Sequence, residues 1–165
     1  MRRRCVLGLS ALSFGLLSPR RRGQAEGIDA APVVLTVDGQ VAGGETIDLT
    51  LEQIEALGFE TLRTATPWTR GPQAFGGVPL RSLLRGLGVS GDMVASALNH
   101  YNVTIPAEDA EKHGAFLATR LDGEPLRLRN RGPIWLIYPW SLRPELDQPP
   151  YHERAIWQLR RLEVR

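Results

Sequence analysis

The sequence predicts an α+β domain built from mixed sheets of short strands with a few short helices. Three observations carry that prediction. Apolar, β-branched runs of strand length recur between Asp-Gly, Gly-Gly and Pro signals. Only a few stretches have helical periodicity, and each is short. No repeat or low-complexity segment breaks the pattern, so the 140 residues after position 25 form one domain with room for its own core.

The elements follow in order. Val33–Val37 is β-rich and runs into the turn pair Asp38-Gly39, and Gln40–Asp48 is expected to return as a second strand bent at Gly43-Gly44. Thr50 and Gln53 form a capping-box pattern ahead of Leu51, Ile54 and Leu57, and Gly58 ends that helix. Phe59–Thr66 reads as a strand closed by Pro67. Gly71–Gly77 reads as a loop, and Val78–Leu87 as a helix with Pro79 in its first turn and Leu80, Leu83, Leu84 and Leu87 on one face. Met93–Leu98 and Tyr101–Ile105 are strands. Pro106–His113 is a short helix, acidic early and basic late, stopped by Gly114. Ala115–Leu121, Pro125–Leu128, Ile134–Tyr138 and Ile156–Val164 complete the strands, with Asp122-Gly123 as a hairpin turn and Arg143–Pro150 as a Pro-rich loop.

The first 25 residues read as an export leader. Arg2, Arg3 and Arg4 precede an apolar run from Cys5 to Leu17, too short to span a bilayer, and Gly23-Gln24-Ala25 offers the small residues of a cleavage site. An uncleaved amphiphilic anchor is the alternative. Removing the leader reverses the charge: residues 26–165 hold 14 basic against 18 acidic residues, a net charge of −4. That balance leaves no nucleic-acid footprint. Cys5 is the single cysteine of the chain, so the exported part has neither a disulfide nor a thiolate. The expected location is the periplasm, with no stable membrane insertion after leader removal.

Several segments, in this order, carry a resemblance. They are Thr66-Pro67-Trp68-Thr69, Phe75-Gly76-Gly77-Val78-Pro79-Leu80, Ala97-Leu98-Asn99-His100-Tyr101, Leu121-Asp122-Gly123, Gly132-Pro133-Ile134-Trp135 through Pro139, and Ile156 through Val164. Together they resemble the molybdopterin-binding domain of the sulfite-oxidase superfamily over residues 33–164. The resemblance implies that fold, and in the enzymes a molybdenum ion held by a cysteine after the strand matching Phe59–Thr66. Here Glu60 through Thr66 contains no thiol, and a neutral hydroxyl is a poor substitute for a soft thiolate. The enzymes also hold the cofactor's phosphate with an arginine and with lysines; those positions correspond to Trp135 and to Arg154 and Trp157, so indoles stand where cationic forks would be. The short, exported, cysteine-free chains of this superfamily resemble pterin-responsive periplasmic proteins. That likeness implies a reduced pterin as ligand and no molybdenum. As partner it implies the periplasmic domain of a membrane-bound cyclic-di-GMP signalling enzyme. The other function the resemblance allows is a molybdopterin-dependent oxidoreductase.

The candidate ligand residues are Trp68, Thr64, Thr66, Arg70, Asn99, Tyr101 and Glu60. Trp68 follows Pro67 at a strand end, where an indole can stack on a flat heterocycle. Thr64 and Thr66 share a strand face and, with Thr69 and Arg70, offer hydroxyls and a guanidinium to ring atoms; strand propensity alone also accounts for threonines there. Asn99 pairs with a pterin edge or satisfies a turn, and Tyr101 lines the site or closes the core. Glu60 is the carboxylate that would accept parallel N–H donors from a 2-amino-4-oxo ring, with Asp122 as its rival. Trp135 and Trp157 belong to adjoining strands and are core or cavity wall. Trp140, Tyr151, His152 and Arg154 border the Pro-rich loop, a lid or partner surface. Arg127, Arg129 and Arg131 alternate along a strand edge as a solvated face or an anionic-ligand patch. His100, His113 and His152 have no metal-ligand spacing, and no nucleophile or phosphate-loop motif is present, so the sequence shows no carrier of catalytic chemistry.

Overall fold

The computed structural model describes residues 31–165. The expected leader, its cleavage site near Ala25 and Cys5 lie outside the described residues. Among the described residues ten strands form two five-stranded sheets. The first has the order β2 (Ile47–Thr50), β1 (Val33–Gly39), β10 (Leu159–Val164), β5 (Met93–Ala97), β6 (Asn102–Ile105). In the second, β3 (Glu60–Thr64), β4 (Gln73–Pro79) and β7 (Phe116–Leu121) are consecutive, and β7 pairs with β8 (Glu124–Pro125) near its end and β9 (Trp135–Ile137) near its start. β1 and β10 run parallel; the other named pairs are antiparallel. The four α-helices among the described residues are α1 (Leu51–Glu55), α2 (Leu80–Leu87), α3 (Ala107–Glu111) and α4 (Pro149–Arg154). Among the described residues no helix is long and apolar enough to cross a membrane.

Alternation explains how the sheets reach one core. Leu35 and Val37 of β1 and Met93, Ala95 and Ala97 of β5 are buried while their neighbours are not. β10 buries Leu159 and Leu162, three apart, because a register shift between Leu159 and Arg161 turns Arg160 outward. β9 is buried at every position, the pattern of a strand covered on both faces. The expected capping box is present: the Thr50 hydroxyl accepts from the Gln53 amide at 3.3 Å and the Gln53 side chain accepts from the Thr50 amide at 2.8 Å.

Four expectations are corrected. The strand expected over Gln40–Asp48 starts only at Ile47, because Gly43 (φ 85°) and Gly44 (φ 69°) close a 3-10 turn first. The loop expected over Gly71–Gly77 is largely β4, and Val78 and Pro79 belong to that strand rather than to α2. Its glycines permit a close approach: a Cβ on Gly77 would lie 2.0 Å from the Leu117 carbonyl oxygen of β7. Strand β8 ends at Pro125, and a 3-10 turn over Leu128–Asn130 with Arg131 at φ 69° follows it, so Arg127, Arg129 and Arg131 share no strand edge. Within the Pro-rich loop, Pro144 and Pro149 each sit in a first helical turn, of a 3-10 segment (Pro144–Leu146) and of α4.

A buried polar cluster fixes α4. Asp109 of α3 is buried and receives the Tyr138 hydroxyl at 2.6 Å and the Arg154 guanidinium at 3.2 Å on each oxygen. Burial first, then the Asp109 charge, raises the Tyr138 pKa above its ordinary 10.0. The fold therefore holds the neutral phenol. Its contribution is complete below the unfolded tyrosine value and is lost as pH rises above it. Tyr138→Phe removes a hydrogen bond to a carboxylate and should cost about 1.5–3 kcal/mol in urea unfolding at neutral pH. The variant should also lose less stability than the parent between neutral pH and pH 11; an identical alkaline decline in both would refute the assignment.

Candidate functional site

Between β3 and β4 the chain folds into a turn locked by its own hydroxyls. The Thr66 Oγ1 accepts from the Trp68 amide at 3.2 Å and donates to the Thr69 Oγ1 at 3.1 Å, while the Thr69 Oγ1 accepts from the Thr66 amide at 3.0 Å. Pro67 restricts the backbone between them. Trp68 is thus presented from a stiff turn, half-buried, and the other three tryptophans of the chain meet it. Its ring centroid lies 5.8 Å from Trp135, 5.8 Å from Trp157 and 6.1 Å from Trp140, with His152 at 6.1 Å. The interplanar angles run from 59° to 88°, tilted or edge-on, the geometry in which ring edges meet electron-rich faces.

Two hollows flank Trp68. One, of about 180 Å³, is lined by Trp68, Trp157, Ala97, Ala155, Ile156, Asn99, Tyr101, His152 and Glu153. It slightly exceeds the ~150 Å³ apolar cavity that admits benzene, so it suits a flat ring system more than an extended ligand. His152 lies 2.7 Å from the Asp147 carboxylate at this rim. The other, of about 410 Å³, is polar. Trp68, Trp135, Thr69, Gln73, Asn130, Arg70, Arg129 and Arg131 contribute to its wall. The Arg131 guanidinium sits 4.7 Å from the Trp135 ring and 5.7 Å from that of Trp157, so a cation joins the walls of both hollows. No carboxylate lines this second hollow, and the Gln73 Oε1 is buried without a hydrogen-bond partner among the described residues. Three guanidiniums and one unmet acceptor suit a ligand bearing an anionic group together with an N–H donor.

The candidate residues divide by position. Trp68, Asn99 and Tyr101 come together at the first hollow, and Trp68 and Arg70 at the second. The Thr64 hydroxyl is buried, donating to the Ala65 carbonyl at 2.9 Å and accepting from the Ser141 amide at 3.0 Å, so it ties the β3 end to the segment after Trp140. Thr66 builds the turn. Glu60 is exposed at the far end of β3 from Thr64, paired across the sheet with Gly77, and lines neither hollow. Its rival Asp122 accepts from the Ala74 amide at 3.3 Å and turns the hairpin at φ 50°.

At the first hollow, the Asn99 side chain accepts from the Tyr101 amide at 3.1 Å, and the Tyr101 hydroxyl donates to the Glu153 carbonyl of α4 at 3.1 Å. Trp135 is buried and forms part of the second hollow's wall, Trp157 walls the first, and a backbone bridge joins the two. Arg154 is committed to Asp109 and lines neither hollow. Sequence reasoning did not place Glu153, Ala155 and Ile156 at a ligand wall; Pro-Pro at 149–150 as a helix start was the available signal.

Residues 31–165 contain no cysteine, and among the described residues no group of three or more His, Cys, Asp or Glu side chains converges to hold a metal. The donors at Trp68 are hydroxyls, amides, an imidazole and guanidiniums, which suit a heterocycle and an anionic group and do not fit a thiolate-held molybdenum. A search of curated proteins finds no match to this chain. The family model described as oxidoreductase molybdopterin binding domain matches residues 23–143. With its two sheets of short strands and few short helices, the chain belongs to the oxidoreductase molybdopterin-binding domain family.

Proposed function

We propose that this chain is a periplasmic, non-catalytic protein that binds a reduced pterin and relays its availability to the periplasmic domain of a membrane cyclic-di-GMP signalling enzyme. The observation that carries the ligand part is the four-indole cluster around Trp68, open to a ring-sized apolar hollow on one side and an arginine-lined one on the other. Family membership supports a pterin-type ligand. The absence of a thiolate from residues 31–165 supports binding without metal chemistry. Location and partner rest on the Arg-rich leader pattern and on the resemblance to pterin-responsive periplasmic proteins.

The binding chemistry follows from the lining. Trp68 and Trp157 offer aromatic surface, and burying a bicyclic ring there removes apolar area from water. Tyr101 and Asn99 are held in place by their own hydrogen bonds, so little ordering entropy is lost when a ligand enters. Gln73, Arg70 and Arg131 are placed to meet polar ring edges or an anionic side chain. That last feature also favours the second reading, a molybdopterin-dependent oxidoreductase, because a phosphate on a pterin side chain would suit the same guanidiniums. Family membership is equally compatible with both.

Tryptophan fluorescence of residues 26–165, titrated under anoxic conditions with 6-methyltetrahydropterin, tests the ligand assignment. Saturable quenching is expected, and Trp68→Ala should weaken binding about 5- to 150-fold, the loss of one aromatic stacking partner worth ~1–3 kcal/mol. Glu60→Gln, far from both hollows, should leave the affinity unchanged. Absence of saturable quenching, or equal affinity in the parent and Trp68→Ala, would overturn the reading.

A further inference from the structure

We infer that a shallow groove beside the ligand site docks a protein segment with an apolar anchor flanked by carboxylates. The groove, about 380 Å³, is lined by Val33, Val34, Leu98, Leu128, Pro133 and Arg160 among others. Three of its residues are exposed large hydrophobics: Val33 at 43%, Leu98 at 38% and Leu128 at 58%. Two more, Tyr101 and Trp157, line the neighbouring ring-sized hollow. Five of the seven exposed large hydrophobics among the described residues therefore line one or the other of these depressions, and three of them, Val33, Leu98 and Leu128, share the groove. Clustering of that kind marks an interaction surface, whereas scattered apolar residues do not.

Charge selects the partner. The groove has a cation, Arg160, and no carboxylate in its lining. The register shift in β10 turns Arg160 outward, while the next residue, Arg161, is paired with Asp38 at 2.8 Å. Arg127 and Arg129, exposed, alternate in sequence with the lining residues Leu126 and Leu128. Among the described residues, none of Arg127, Arg129 and Arg160 is in an ion pair. An apolar groove with one unpaired guanidinium, Arg160, in its lining and a second, Arg127, between two lining residues in sequence is complementary to an apolar side chain next to acids, which gains orientation and association rate from the charges and affinity from the buried anchor.

The groove also shares backbone with the ligand site. Gln158, next to Trp157, accepts from the Leu98 amide at 3.0 Å, donates its own amide to the Arg131 carbonyl at 2.9 Å, and donates its side-chain amide to the Leu128 carbonyl at 3.0 Å. Leu98 lies between Ala97 and Asn99, both at the ring-sized hollow, and Leu126 lines the groove and the arginine-lined hollow alike. A segment seated on Leu98 and Leu128 rests against the back of the walls that hold the ligand. The inference deepens the proposed signalling role by giving the partner a place to dock, and its test omits pterin so that the two fail separately.

The experiment selects displayed random dodecapeptides on residues 26–165 without added pterin, then measures the enriched peptides by fluorescence anisotropy. Enrichment of peptides with a Leu, Ile, Phe or Met flanked by Asp or Glu is expected. Leu128→Ser and Arg160→Glu should each weaken them about tenfold, and raised salt should weaken them further. Both substitutions are on exposed side chains, and an unchanged urea midpoint would confirm that each variant is folded. No enrichment, enrichment of basic or purely apolar sequences, or affinities unchanged in both variants would overturn the inference. So would concentration-dependent self-association of the parent that Leu128→Ser abolishes, since the occupant would then be a second copy of this chain.

Discussion

Three indoles converging on a fourth, Trp68, are the contact on which the rest of the site depends. Each reaches it from a different part of the chain: Trp68 from the turn after β3, Trp135 from β9, Trp140 from the segment following it, and Trp157 from just before β10. Tilted aromatic pairs at these separations are worth ~0.5–1.5 kcal/mol each beyond the area they bury, so three such pairs on one ring outweigh the freedom Trp68 would otherwise have. The cluster joins the second sheet to the strand at the centre of the first, and the hollows on either side of Trp68 exist because edge-on rings leave gaps that flat stacking would fill.

Polar anchors hold that cluster from outside. The hydroxyls of Thr66 and Thr69 fix the turn, Thr64 fastens the end of β3 to Ser141, and the Tyr138–Asp109–Arg154 cluster holds α4, whose His152 ring centroid lies 6.1 Å from that of Trp68. Of these groups Thr64 and Thr66 are the expected ligand contacts, because hydroxyls can hydrogen-bond to ring atoms. In the folded chain most of their capacity is used internally, as buried polar groups require. What remains for a ligand is chiefly aromatic surface, the side chains of Arg70, Arg129 and Arg131, and Gln73.

That division also shows how far the sequence could be read. Local signals were sufficient where the physics is local: the alternation of β1, the capping box at Thr50 and the turn at Asp122-Gly123 are all present in the structure, whereas the helix expected to run to Gly114 ends at Glu111 with Lys112 as its cap. Tertiary approach was not legible. β4 reads as a loop because Gly76 and Gly77 are poor strand formers, and only tertiary approach explains them: the β7 backbone against Gly77, and the Phe59 ring with Arg120 against Gly76. The use of the Thr64 hydroxyl depends on Ser141, 77 residues away. Arg129 and Arg131 reach the polar hollow because a 3-10 turn replaces the expected strand, and Arg131 adopts a left-handed backbone that its residue type does not announce. Trp68 was legible because a tryptophan after a proline at a strand end has few places to go.

Membership of the molybdopterin-binding family leaves two chemistries open, and the side chains around Trp68 weigh between them. The most direct test of a pterin site without molybdenum is native mass spectrometry of residues 26–165, purified anoxically from a host competent to make the molybdenum cofactor, with metal analysis of the same sample. A bound organic mass of pterin size with no stoichiometric molybdenum is the expected result. Stoichiometric molybdenum accompanied by a molybdopterin mass would contradict it.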